Sequence, residues 1–220
     1  SDPAIDVYDN AMFIIALDYL LEMAPDSPQA SRWKSLREGI ERNVRAHLWD
    51  VKRQKFIPHI YPEKSPIPEG FDELAIHYHG GTAIAIEAGL LSEDEIRTVN
   101  AQMLENVRLS GMPSIGLTLY PVYPDGFFHG GMSKAYLYQN GGDWTWFGGR
   151  MIQQLVVNGM VEEAYAEIHP MIERVIQNDG FYEWYGKGGV PRGSGNFKGS
   201  AGVLSKAIEL LRDWAEKNKS

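Results

Sequence analysis

Apolar residues recur three and four apart along seven stretches of this chain. The stretches are joined alternately by short turns and by long loops rich in Gly, Pro and aromatic residues. Spacing of three and four marks one face of a helix, so the alternation predicts helix hairpins whose long loops all emerge at one end. Residues 9–23 read as a buried helix capped by Asp9 or Asn10, with Pro25 past its end. A second helix starts at Ser27-Pro28 and carries Trp33, Leu36, Ile40, Val44 and Leu48 on one face. The third covers about 81–91, and Ser92 with Glu95 forms a capping box for a fourth that runs to about 109. The fifth holds Met151, Ile152, Leu155, Val156 and Met160. The sixth runs from 161 to about 177, and the seventh carries Ala201, Leu204, Ile208 and Leu211. Strands are few; a short hairpin is expected around Phe56. The expected fold class is all-α, in a single domain spanning 1–220.

The long loops are where chemistry is expected. The most informative is Gln139-Asn140-Gly141-Gly142-Asp143-Trp144-Thr145-Trp146-Phe147, a polar, Gly-rich turn that opens directly into the fifth helix. Glycine lets the backbone approach a ligand closely, a helix N-terminus offers unpaired N–H groups, and an indole face stacks on the C–H face of a sugar. Trp144 and Trp146 serve equally well as core aromatics. A second candidate is Glu183 in Phe181-Tyr182-Glu183-Trp184-Tyr185, a carboxylate enclosed by four aromatics. Such a setting can desolvate a carboxylate or hold it ready to polarise water. His77-Tyr78-His79 places two imidazoles two residues apart, which in a strand would share a face. No third metal ligand stands at a telling spacing, so hydrogen bonding is the better reading and no metal is assigned. The Gly-rich run 186–202 lacks the pattern of a phosphate loop.

Composition removes whole classes of function. A net charge of −8 argues against nucleic acid and against an anionic membrane surface. No apolar run approaches the ~20 residues of a membrane span. The absence of cysteine excludes disulfides and thiolate metal sites and leaves the compartment open. Six Trp and eleven Tyr suit a carbohydrate site.

Several of these segments together resemble the six-hairpin glycosidases, a group that includes glucoamylases, trehalases, processing α-glucosidases and the amylo-1,6-glucosidase part of debranching enzymes. The resemblance is carried by Asp6-Val7-Tyr8-Asp9-Asn10-Ala11 opening a buried helix and by Leu48-Trp49-Asp50 closing its hairpin. Asn140-Gly141-Gly142-Asp143-Trp144 adds to it, as does Gly180-Phe181-Tyr182-Glu183-Trp184-Tyr185 ahead of Phe197-Lys198-Gly199-Ser200-Ala201-Gly202. It implies an (α/α)6 toroid with its site at one end, acting on an oligosaccharide or disaccharide with an α-linked gluco-configured sugar, usually with inversion. On that resemblance Glu183 matches the general base, and Asp143 is a further catalytic candidate. Trp144, Trp146, Tyr182 and Trp184 would wall the sugar, while Asp143, Arg150 and His79 would hydrogen-bond its hydroxyls. No cofactor is implied. A full toroid has twelve helices and this chain shows about seven, so the resemblance implies a C-terminal portion of the toroid whose N-terminal half would be a partner. The general acid would then lie outside the chain, with Asp72, Glu73, Asp125 and Asp143 as the candidates within it. A sugar phosphorylase or epimerase on the same fold, or a non-catalytic helical module that holds a glycan or a protein, are the alternatives.

Overall fold

A computed structural model describes residues 3–219. Among the described residues there are seven α-helices: α1 (Val7–Met23), α2 (Ala30–His47), α3 (His79–Glu87), α4 (Glu93–Ser110), α5 (Thr145–Val157), α6 (Val161–Gln177) and α7 (Lys198–Lys217). The sheet is confined to two antiparallel hairpins, β1 (Trp49–Asp50) with β2 (Lys55–Phe56), and β3 (Trp184–Tyr185) with β4 (Pro191–Arg192). No helix among the described residues is long and apolar enough to cross a membrane.

The odd-numbered helices pack in sequence, α1 on α3, α3 on α5 and α5 on α7, and make an inner layer. Outside it, α2 packs on α1 and α6 on α5, while α4 enters the same core through Ile96, Val99 and Met103. The division follows composition. The first helix is apolar nearly all round, and α3 is buried from His79 to Ile86, so both suit an interior position. In contrast α6 has a strong apolar stripe and a charged outer face. Glycines let α5 sit close to both neighbours. A Cβ on Gly148 would lie 2.2 Å from the Met171 Cε of α6, and one on Gly149 would lie 2.9 Å from the Val203 Cγ2 of α7.

Short turns join α1 to α2, α3 to α4 and α5 to α6, whereas residues 48–78, 111–144 and 178–197 form the long connections. Bridges within and between these loops, and one to the segment before α1, gather them at the N-terminal ends of the inner helices. Ile5 bridges Ile60, His77 bridges Tyr120, Leu117 bridges Asp143, and Asp143 bridges Tyr185. The result is an open arc of hairpins, with α1–α2 at one edge, α6–α7 at the other and the loops gathered on one rim.

Three helix boundaries differ from those read in the sequence. The cap of α1 is Asp6, not Asp9 or Asn10: its backbone is extended and its Oδ1 accepts from the Asp9 N–H at 2.9 Å. The second helix begins at Ala30, after Ser27 has closed a turn on Gln29. The third stops at Glu87, because Gly89 takes φ +72 and the Leu90 N–H turns back to the Ala85 carbonyl. The capping box on α4 forms as expected.

Candidate active site

The rim is held together by a buried knot centred on Asp143. Its carboxylate is 0 % exposed, accepts from Ser114 Oγ at 2.7 and 2.9 Å, and pairs with Arg174 Nη1 at 2.9 Å. Arg174 comes from α6. It also donates to Thr145 Oγ1 at 2.6 Å, and its guanidinium lies 4.0 Å from the centroid of the Tyr185 ring. Burial works to raise the Asp143 pKa, and Arg174 and Ser114 work against it. The Asp143 backbone exchanges both hydrogen bonds with Tyr185. The loops before α5 and before α7 are thus tied to each other and to α6. Close approach is built in: a Cβ at Gly116 would lie 2.3 Å from Asp143 Oδ1, and Gly141 has φ +87 with Val122 2.3 Å from where its Cβ would stand. Asn140 completes the loop by accepting from Tyr123 N–H and donating to the Tyr123 carbonyl. As placed, Asp143 anchors the rim and presents no surface to a ligand.

Glu183 is placed differently. It sits just before β3 in the last long loop, half-buried, with its N–H donated to the Ser194 carbonyl. The side chain lies across the returning strand, where a Cβ on Gly193 would come 2.3 Å from its Oε2; Gly193 itself has φ +69. Two bonds clamp the loop to the start of α7: Ser200 Oγ donates to the Tyr182 carbonyl, and the Phe197 N–H to the Phe181 carbonyl. Among the described residues the Glu183 carboxylate takes part in no hydrogen bond or ion pair.

The expected aromatic wall divides in two. Trp144 (5 % exposed) and Trp184 (8 %) are core residues of a cluster with Phe147, flanked by Tyr138. Trp146 and Tyr182 remain half-buried on the rim. Arg150 holds Trp146 in place. Its guanidinium is 4.7 Å from the indole centroid while two bonds of 2.7 Å tie it to Glu87 on α3. Tyr8, from the first turn of α1, packs at 6.4 Å from the Trp146 ring. So Tyr8 and Trp146 meet where three inner helices begin, with Arg150 occupied as their brace.

His79 does not join them. It is 2 % exposed, turned toward α4, with Nε2 accepting from Asn106 at 2.9 Å. Burial holds its pKa down to about 3 and that of His77 to about 4. The pair is not on one strand: His77 bridges Tyr120 while His79 opens a helix, and no three such side chains group as metal ligands among the described residues. Asp72 and Asp125 lie exposed on loops, Asp125 accepting from the Ala135 N–H. Glu73 is engaged by His59, Tyr61 and Tyr123. The rim residues that sequence reasoning did not name are His59, Glu87, Ser114, Tyr123 and Arg174, while Tyr8 and Tyr185 entered only as members of longer motifs. One local signal existed for His59: in Pro58-His59-Ile60-Tyr61-Pro62, two polar rings alternate about an apolar residue between prolines.

No protein-family model matches the sequence, and no curated protein does. Solved structures do match in fold. A GH63 mannosylglycerate hydrolase from Thermus thermophilus, in complex with glucose, aligns with a TM-score of 0.64 at 17% identity, over 96% of this chain and 48% of that one. The same enzyme in complex with Tris and D-glycerate gives 0.61 at 18%, over 96% and 46%. An uncharacterized conserved protein of the same organism gives 0.66 at 18%, over 96% and 47%. The chain spans about half the length of the solved structures it matches. An arc of seven helices in alternating inner and outer layers, its long loops on one rim, together with these alignments gives the chain the fold of the six-hairpin α/α glycosidases.

Proposed function

We propose that this chain carries the general-base side of an inverting glycoside hydrolase site for an α-linked, gluco-configured sugar, with Glu183 as the base. The observation that carries the reading is the carboxylate without a protein partner, held by a clamped loop on the rim where half-exposed aromatics gather. A general base must be free to accept a proton from water, and Glu183 meets that need. Asp143 does not, since Arg174 and Ser114 occupy its oxygens. Trp146 and Tyr182 supply the half-exposed faces for the sugar, with Trp144 and Trp184 as the packed layer behind them. Inversion asks for a second carboxyl about 6.5–9.5 Å away, to leave room for the water. A general acid must hold a proton, and Glu73 is kept ionised by its three donors. We therefore assign the proton donor to a segment beyond these residues.

The test uses α-D-glucosyl fluoride, because fluoride departs without being protonated and the base alone is then sufficient. Fluoride release with formation of β-glucose is expected, falling by about a hundredfold or more in Glu183→Gln. Mannosylglycerate and α-linked glucose disaccharides, run beside it, would report the preferred glycone. Undiminished release in Glu183→Gln overturns the assignment.

A further inference from the structure

A second cluster of polar side chains lies on the rim, on loops other than the one that carries Glu183. It borders a cavity of about 160 Å³ between the 48–78 and 111–144 loops, lined by Pro58, His59, Tyr78, Phe128, Gln139 and Phe147 among others. Ile60 exchanges both backbone hydrogen bonds with Ile5, and alternation along this extended segment places His59 and Tyr61 on the face opposite Ile60. His59 Nδ1 is 2.8 Å from Glu73 Oε1. The hydroxyls of Tyr61 and Tyr123 reach the same oxygen at 2.7 and 2.5 Å. Both hydroxyls are farther from Nδ1, at 3.2 and 3.3 Å, so their protons go to the carboxylate.

That arrangement fixes the imidazole. Burial works to raise the Glu73 pKa, but the bonds from His59, Tyr123 and Tyr61 outweigh it and hold the carboxyl below its usual range. An ionised carboxylate only accepts, so Nδ1 must donate, and a ring that carries a single proton has its lone pair on Nε2. Glu73 and Tyr61 stand behind the ring, outside the cavity lining. The ring edge that carries Nε2 is then the one left for the cavity. Tyr78, Phe128 and Phe147 give flat apolar walls, and the exposed Gln139 brings an amide to the mouth. No lysine or arginine lines the cavity among the described residues.

We propose that this cavity binds a neutral, hydroxyl-rich ring, a further sugar unit of the glycan, with His59 Nε2 accepting from one hydroxyl and the Gln139 amide bonding a second. The proposal rests on reading the rim as a glycan cleft. Anionic sugars are disfavoured, because the charge behind His59 is negative and no cation faces it. A purely structural His59–Glu73 pair would make the same internal bonds but would not respond to sugar.

The test is nitrogen NMR of the histidine rings in the full chain. The free protein should show His59 protonated on Nδ1. Methyl α-D-glucopyranoside or maltotriose should then move the Nε2 resonance saturably, and glucuronate at equal concentration should not. His59→Gln and, independently, the exposed Gln139→Ala should each weaken sugar binding about threefold to tenfold, the size of one lost hydrogen bond. The response should persist in Glu183→Gln. A ring protonated on Nε2, or a His59 signal that no neutral sugar moves, overturns the proposal. If glucosyl fluoride turnover still depends on Glu183 in that case, the base assignment stands alone. A sugar response at His59 without any turnover would separate the two the other way.

Discussion

At the scale of single residues, the two acids that sequence reasoning set side by side have opposite surroundings. Asp143 is enclosed with its countercharge, and Glu183 has none. Breaking a buried pair leaves an uncompensated charge and costs about 3–5 kcal/mol. Arg174→Met should therefore lower the unfolding free energy by about that amount in urea titration, and removing both charges with Asp143→Asn should recover part of it. A loss under about 1 kcal/mol would mean that the knot is not holding the rim. Gly193→Ala tests the other acid. The new methyl group would lie 2.3 Å from Glu183 Oε2, at a position with φ +69. It should displace the carboxylate and cut kcat about tenfold or more, while Tm falls by only a few degrees; unchanged kcat would show that the Glu183 position is immaterial. Glu183 stood out as a candidate because the aromatics that flank it are local in sequence. The role of Asp143 was not legible, because Arg174 and Ser114 stand about thirty residues away on either side, and only the fold brings them together.

At the scale of helices, the period of three and four was enough to find all seven, because most present one apolar face to the core. Their ends were less legible, since caps depend on backbone turns such as that at Gly89. What the period could not reveal is polar traffic between helices. Asn100 on α4 donates to Glu167 on α6 at 2.8 Å, and both are buried. Burial pushes the Glu167 carboxyl up to about 7, aided by the charge of Glu163 and opposed by the Asn100 bond. Because the folded pKa is raised, the folded state holds the proton more tightly than the unfolded chain, whose value is 4.5. Glu167 thus adds no loss below pH 4.5, an increasing loss up to pH 7, and a constant one above. The full loss is about 3 kcal/mol. Glu167→Gln, which cannot ionise, should be close to wild type in Tm at pH 5 and clearly more stable at pH 8. Equal differences at the two values would contradict the assignment.

At the scale of the molecule, the arc ends in two apolar edges. On α1, Phe13, Ala16, Leu20 and Met23 form an exposed stripe spaced three, four and three, with Phe13 48 % and Met23 73 % exposed. On the α6–α7 edge, Tyr165, Ile208 and Trp214 border an apolar groove. A helix that is apolar nearly all round requires neighbours on every side, and the helices packed along α1 among the described residues are α2 and α3, with α5 touching its first turn. The solved structures with this fold are about twice as long as the part that aligns. In the isolated chain, apolar surface of this kind should drive association, opposed at low ionic strength by the net charge of −8. Light scattering should then show a mass that rises with protein concentration and rises further with salt. Phe13→Ser with Met23→Ser should shift the distribution toward monomer, and Trp214→Ser should do so independently, because the two edges lie at opposite ends of the arc. The direction of the salt response decides the matter. Association that weakened with salt would be electrostatic and would leave the edges without a role, whereas association that strengthens and responds to both sets of substitutions would place the contact on the helix faces themselves.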